Sequence, residues 1–400
     1  MRIIHTADLH LGKSLDGFSR FDEQRQFLDF FIQKSADLKP DLIIIAGDIY
    51  DTANPPALAE VYFYDFLKRL SDATGSLTVI IPGNHDNPKR LSCIKPLARQ
   101  HGILIYENHD DEFDLGFYNH ARILSSGKGV VKADINGQVA NIMALPYISE
   151  QRLNQSIADL SLSDEDSALN FEQKIDCIIK DKLPLLSEDE YNIMIAHLFT
   201  LSAKIDEQKT GYSLGGAYIL NSSILPSNSM DYIALGHVHK YQKVGDADSK
   251  AYYSGSPIHY NKTETKTEQK VFLSVDIDRQ KNIKVEQIPI PVYKKIEILD
   301  VYSVEDAIKL SKEKQHEQSY VYMNVHTDAP LSHSEIRQIK QYKKDIVEIR
   351  PILSVRTVLS ENKNMLEQSE DQKFIEFYKD RYGKEPDKNI VDRYIDILLK

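Results

Sequence analysis

Tryptophan is absent from this chain, and cysteine occurs twice in 400 residues. Two isolated cysteines, Cys93 and Cys177, supply neither a disulfide framework nor a thiolate metal site, and such usage suits a reducing cytoplasm. No apolar run approaches the ~18 residues of a membrane span. Arg2 is followed by strand-like sequence instead of a signal peptide's long apolar region. A basic surplus is missing too, since 49 Lys+Arg against 60 Asp+Glu leave a net charge of −11. That argues against a broadly basic surface gripping phosphates. Any handling of DNA or RNA then rests on local features: a metal site, a few Lys or Arg, or a partner. Short-period repeats and low-complexity tracts are also lacking. What remains is an ordinary soluble composition, 42% hydrophobic and 27% charged, able to bury a sizeable core. Two or three domains are expected at about 100–200 residues each.

The first half alternates strand and helix. Arg2–Ala7 reads as a strand leading into Asp8-Leu9-His10-Leu11-Gly12. Residues 21–38 place Phe27, Leu28, Phe31 and Ile32 on one helical face. Asp41–Ala46 is a continuous apolar strand entering Gly47-Asp48-Ile49-Tyr50-Asp51, a second helix spans about 56–70, and Leu77–Ile81 runs into Pro82-Gly83-Asn84-His85-Asp86. This order predicts a parallel sheet with helices on its faces. A helix over 91–100 and a strand over 103–105 follow. Shorter strands with glycine turns at Gly127, Gly129 and Gly137 predict antiparallel hairpins over 113–148. Further along come a helix at 165–182, strands ending at His197 and at Gly236-His237-Val238-His239, and strands at 251–254 and 271–275 around a polar loop. The domain ends near Pro289–Pro291. A smaller β-α-β-α-β unit follows, with Ser303 and Asp306 as a capping box, then a polar linker and two amphipathic helices. The first helix carries Phe374, Phe377, Tyr378 and Tyr382; the second carries Ile390, Val391, Tyr394, Ile395 and Leu398.

Chemistry concentrates where strands end. Ligands bind beyond the carboxyl edge of parallel strands, and five predicted strands on one sheet edge end in Asp8/His10, Asp48, Asn84/His85, His197 and His237/His239. Carboxylate and imidazole donors suit Mn, Fe or Zn, whereas all-oxygen sites favour Mg or Ca. Two cations about 3.5–4 Å apart need a bridging ligand. A carboxylate can bridge where an imidazole cannot, which points to Asp48. One metal is assigned to Asp8, His10, Asp48 and His239, the other to Asp48, Asn84, His197 and His237. His85 is left to protonate the leaving oxygen or hydrogen-bond the phosphate, with Asp86 orienting it. His5, His101, His109, His120, His259, His316, His326 and His333 fall outside the pattern and read as core or surface histidines. Asp51 is open between supporting the site and shaping a turn. Lys13, Arg20, Lys89 and Arg90 are open between phosphate contacts and solvated charge.

These motifs resemble the calcineurin-like metallophosphoesterases. Within that superfamily, Ile4–Lys13, Ala46–Pro56 and Tyr253-Ser254-Gly255-Ser256-Pro257 look like the nuclease-subunit family of the bacterial SbcCD exonucleases. The resemblance implies an α/β fold: a metallophosphoesterase β-sandwich flanked by helices (1–290), a small α/β capping domain (291–358) and a linker with C-terminal helices (359–400). It implies a Mn2+-dependent, two-metal nuclease acting on double-strand ends, hairpins and single strands in DNA repair, recombination and replication. The implied assembly is a homodimer of this subunit within a heterotetramer, its C-terminal helices docked at the coiled-coil base of an SbcC-like ATPase. The implied location is the nucleoid-associated cytoplasm.

One stretch departs from the family pattern. Leu198–Gly216 lacks the Ser-Glu-Arg-Pro-like element usual between the His197 and His237 positions, so a role of that loop in placing DNA is not expected to carry over. Two other functions compete: a phosphoesterase on small phosphodiesters or nucleotides, and a scaffold whose metals are structural. The capping domain and tail helices weigh against the first. The complete ligand set and the additional His85 weigh against the second.

Overall fold

The structure, a computed structural model, describes residues 1–149, 171–201, 213–214, 217–246, 248–264, 269–353, 370–382 and 384–398. It divides into two compact units, 1–294 and 295–400.

In the first unit, strands Arg2–Thr6, Leu42–Ala46, Leu77–Ile81 and Ile103–Ile105 run parallel, and Val271–Ile277 and Ile283–Pro289 extend the sheet antiparallel beyond Arg2–Thr6. The alternation of side chains across a strand decides the layers. Ile3, Leu42, Ile44, Val79 and Ile81 pack against Ile142, Ile193, Ile195 and Ala234 of a second, eight-stranded sheet. Ile4, Ile43, Ile45 and Ile80 face outward onto helices Phe21–Leu38 and Ala57–Thr74. These side chains are fully buried, each contributing about 1.5–3 kcal/mol of apolar transfer. On the far side of the second sheet, Met143, Met194, Ile233 and Leu235 pack with Ile175, Ile178 and Ile179 of helix Phe171–Lys182.

The five strand ends that carry the candidate ligands therefore do not share one sheet edge. Asp8, Asp48 and Asn84/His85 follow strands of the six-stranded sheet, whereas His197 and His237/His239 follow Tyr191–His197 and Tyr232–Gly236 of the other. All five strands are buried on both faces, so their sequences carry no mark of which sheet each joins. The face-to-face packing brings both carboxyl edges to one place.

Other details differ from the sequence reading. The 91–100 helix is broken into Pro88–Ser92 and Lys95–Ala98, with Pro96 early in the second piece. The expected start of helix 165–182 and the 359–369 linker lie outside the described residues, as does most of the departing 198–216 loop. Phe199–Leu201 of that loop pairs with Ala217–Asn221.

The second unit opens with strands Lys295–Val301, Ser319–Thr327 and Ile346–Leu353, all parallel, and helices Val304–Glu313 and His333–Tyr342. Ser303 accepts the Asp306 N–H at 3.0 Å, but the reciprocal capping box occurs at Ser332 and Glu335, where the longer glutamate reaches back. Helices Glu370–Tyr382 and Lys388–Leu398 pair through Phe374 stacked on Tyr394, centroids 4.1 Å apart. Among the described residues, no helix is long and apolar enough to cross a membrane.

Candidate metal centre

Short loops leave the strands in strained backbone. Asp8, His10, Asp48 and His237 have φ of 55°, 43°, 49° and 106°, a region that costs a non-glycine residue about 1–3 kcal/mol. Cross-loop hydrogen bonds hold them there. Asp8 N–H donates to Gly47 O at 3.0 Å, His10 N–H to Asp48 O at 2.9 Å, and His237 N–H to Asp8 Oδ1 at 2.9 Å. Two glycines allow the approach. A Cβ on Gly83 would sit 2.1 Å from Asp48 Oδ1, and one on Gly236 would sit 1.7 Å from Ala46 O.

The predicted ligands converge. Asp48 Oδ2 lies 3.6 Å from His10 Nε2 and 3.5 Å from His197 Nε2, while Oδ1 accepts the His85 N–H at 2.9 Å. Asp8, His10 and Asp48 form one group of donors within 4.8 Å of one another, and Asp48, His197 and His237 form another. His10 Nε2 and His239 Nε2 stand 3.0 Å apart, a spacing at which two imidazoles share a proton or a cation. Asn84 Oδ1 lies 3.1 Å from His197 Nε2 and 3.0 Å from His237 Nδ1. Asp8 Oδ2 is buried without a hydrogen-bond partner among the described residues, at a cost unless something positive meets it. The donor set fits divalent cations.

Burial pushes the Asp8 carboxyl up, and His197 and His239 partly offset it. Burial opposes ionisation of Asp48 too, but His197 and His10 outweigh it and hold that carboxyl below the ordinary range. His197 is the counterpart: burial disfavours its charge, yet Asp48 and Asp8 raise its pKa to about 9. Burial, then the neighbouring His197, lowers His237 to about 3. A cation that takes His197 as ligand displaces a proton.

Asp86 makes no hydrogen bond to the His85 ring. Its carboxylate accepts the N–H groups of Ile49 (3.0 Å), Tyr50 (2.9 Å) and Gly83 (2.9 Å), tying two ligand loops together. The ring is oriented by Asp51 instead, whose carbonyl lies 2.7 Å from His85 Nδ1. The Asp51 carboxylate stands 3.5 Å from His10 Nδ1 and 2.6 Å from Lys13 Nζ. Arg20 is buried, with Nη1 donating to His259 O and a two-pronged bond to Glu23, so it is no phosphate contact. Arg90 pairs with Glu60 at 2.8 Å. His5 is buried, 2.8 Å from the Tyr232 hydroxyl.

Two supporting residues gave no sequence signal. Glu264 Oε1 lies 3.2 Å from His239 Nδ1, and Lys270 Nζ lies 2.8 Å from Glu264 Oε2; both come from the stretch read as a polar loop. The Tyr253–Pro257 string lies beneath the same ligand, where Ser256 N–H donates to His239 O at 3.1 Å.

This two-sheet fold is that of a phosphoesterase: the calcineurin-like phosphoesterase family model matches residues 1–241, and the chain belongs to that family. It is 30% identical over 405 residues to SbcD, the D component of nuclease SbcCD from Bacillus subtilis (strain 168), a match spanning 99% of this chain and 97% of that protein. A crystal structure of a dimetal phosphatase from Danio rerio (LOC 393393) aligns with 73% of this chain and 99% of its own, at 15% identity and a TM-score of 0.39. That last likeness is too slight to carry an argument.

Proposed function

We propose that this phosphoesterase is the DNA nuclease subunit of an SbcCD-type complex. It hydrolyses phosphodiester bonds at double-strand ends and in hairpins or single strands, in repair, recombination and replication. Similarity to the Bacillus subtilis protein over nearly the whole chain supports the substrate and the SbcC-like ATPase partner. Residues 291–358 position DNA, and the helices within 370–398 dock on the partner's coiled-coil base, in a heterotetramer of the nucleoid-associated cytoplasm.

One observation carries the two-metal reading: Asp48 Oδ2 lies nearly equidistant from His10 and His197 Nε2, at 3.6 and 3.5 Å. Asp8, His10, Asp48 and His239 would hold one cation; Asp48, Asn84, His197 and His237 would hold the other. Bound cations, Mn2+ by preference, supply the charge that makes water nucleophilic near neutral pH and neutralises the phosphate. His85 completes the site. The Asp51 carbonyl facing its Nδ1 can only accept, so that nitrogen carries a proton, and Nε2 protonates the leaving oxygen when the ring is cationic or hydrogen-bonds the phosphate.

The test is cleavage of a labelled hairpin-ended duplex in Mn2+, by this subunit with its ATPase partner, comparing wild type with His85→Ala. Wild type is expected to cut, and the variant to bind metal yet lose cleavage by about 10²–10⁴-fold, the range of a general acid. Equal activity would refute the role of His85. A wild-type protein that binds metal, spares DNA and turns over small phosphodiesters would refute the nuclease reading.

A further inference from the structure

We propose that Glu264 and Lys270 are a positioning pair for His239, and that they make the two metal positions unequal in strength. The inference rests on the binuclear reading above.

His239 is the last donor in the chain and half-buried, with 27% of its side chain exposed against 14% for Glu264. Its ring has two nitrogens, and only one faces the centre: Nε2, 3.0 Å from His10 Nε2. The other, Nδ1, meets Glu264 Oε1 at 3.2 Å. A carboxylate can only accept, so it draws the ring proton to Nδ1 and leaves the Nε2 lone pair free.

The carboxylate is itself fixed. Asn261 Nδ2 donates to Oε1 at 2.7 Å, Tyr260 N–H donates to Oε2 at 3.2 Å, and Lys270 Nζ donates to Oε2 at 2.8 Å. Lys270 also donates to His239 O and to Ser256 Oγ, both at 2.8 Å. One ammonium thus grips the ligand's backbone and the group behind its ring. With 9% of its side chain exposed, this lysine is too buried to be a free phosphate contact.

A looser arrangement stands behind His10, whose Nδ1 has a carboxylate nearby but no hydrogen bond to it. The Asp51 carboxylate lies 3.5 Å from His10 Nδ1 and is paired with Lys13 at 2.6 Å. His197 differs: its Nδ1 is backed by the neutral carbonyl of Ala46 at 2.9 Å. A negative group behind an imidazole raises its basicity as a donor, and a neutral carbonyl does so less. Both imidazoles assigned with Asp8 have carboxylates behind them, so that position binds its cation more tightly. Glu264 acts on that position alone.

Mn2+ is titrated calorimetrically into the full chain, wild type against Glu264→Gln. Wild type is expected to bind two ions in unequal steps. The variant keeps the shape and loses the charge, so the tighter step weakens about 10–100-fold while the other stays unchanged. In metal-free protein, 15N spectra of the His239 ring provide a second readout: wild type holds the Nδ1–H form, and the variant shifts toward a mixture. If Lys270 left unpaired prevents folding, adding Lys270→Met removes the stranded charge and the same single-step loss is expected. Two steps unchanged by the substitution, or both weakened alike, would overturn the inference and leave the binuclear reading standing. A wild-type protein that binds no Mn2+ would overturn both.

Discussion

Replacing Gly83 by alanine adds one methyl group and should disable the centre. The Cβ would stand 2.1 Å from Asp48 Oδ1 and 2.4 Å from Asp48 N. Ordinary contact begins near 3.4 Å, so roughly 1.3 Å of separation must be found, about the shift for which misplacement costs ~10²-fold in rate. Neither side can yield cheaply. Asp48 already has a φ of 49°, and its carbonyl accepts the His10 N–H at 2.9 Å. The Gly83 N–H is bound to Asp86 Oδ2 at 2.9 Å. Gly83→Ala is therefore expected to lose at least ~10²-fold in phosphodiester turnover and to weaken Mn2+ binding, with ~1–3 kcal/mol of stability lost to overpacking. Turnover, calorimetric Mn2+ titration and thermal melts measure the three effects. Gly127→Ala is the control, because its Cβ would find an ordinary contact with Glu112 Oε1 at 3.7 Å. A Gly83→Ala protein that binds Mn2+ and turns over like wild type would refute the reasoning that Asp48 is immovable.

Two further predictions concern the body of the fold. Burial lowers the His5 pKa from 6.5 to about 3, so the unfolded chain takes up a proton that the folded one refuses. This part of the stability is present above pH 6.5 and is lost as pH falls toward 3; denaturant titrations of metal-free His5→Phe/Tyr232→Phe should show a flatter loss over that window. Glu23→Ala removes the two-pronged carboxylate partner of the Arg20 guanidinium, whose side chain is 1% exposed, and should cost ~3–5 kcal/mol in chemical denaturation; a cost under ~1 kcal/mol, typical of an exposed pair, would show the pair to be dispensable.

The sequence was most legible where one residue's chemistry sufficed. Strands such as Leu42–Ala46 declare themselves by unbroken β-branched runs, and the helix expected over 21–38 matches Phe21–Leu38. The residues that gather at the centre were identifiable because Asp, Asn and His at strand ends have few other reasons to recur. What sequence could not supply was long-range partnership. Whether Tyr191–His197 joins the first sheet or a second depends on its pairing with Gln138–Leu145 and Tyr232–Gly236, tens of residues away on either side. Asp86 looked like a partner for its neighbour His85, yet its carboxylate finds the backbone of Ile49 and Tyr50. Glu264 was hidden for the same reason, since a glutamate in a polar loop signals only solvent until the fold lays it against His239.

The mixed origin of the centre also sets when it can exist. His237 N–H closes onto Asp8 Oδ1 across 229 residues of chain. Contacts of such sequence separation come late, after the intervening loop entropy has been met. During synthesis the Asp8, Asp48 and Asn84 loops emerge early and in one sheet, while His197, His237 and His239 wait for the other. A partly made chain thus presents an incomplete donor set, and hydrolytic capacity arrives together with the closed sandwich. The fold acts as a timer: the donors of the candidate centre stand together only once the whole phosphoesterase body has been built.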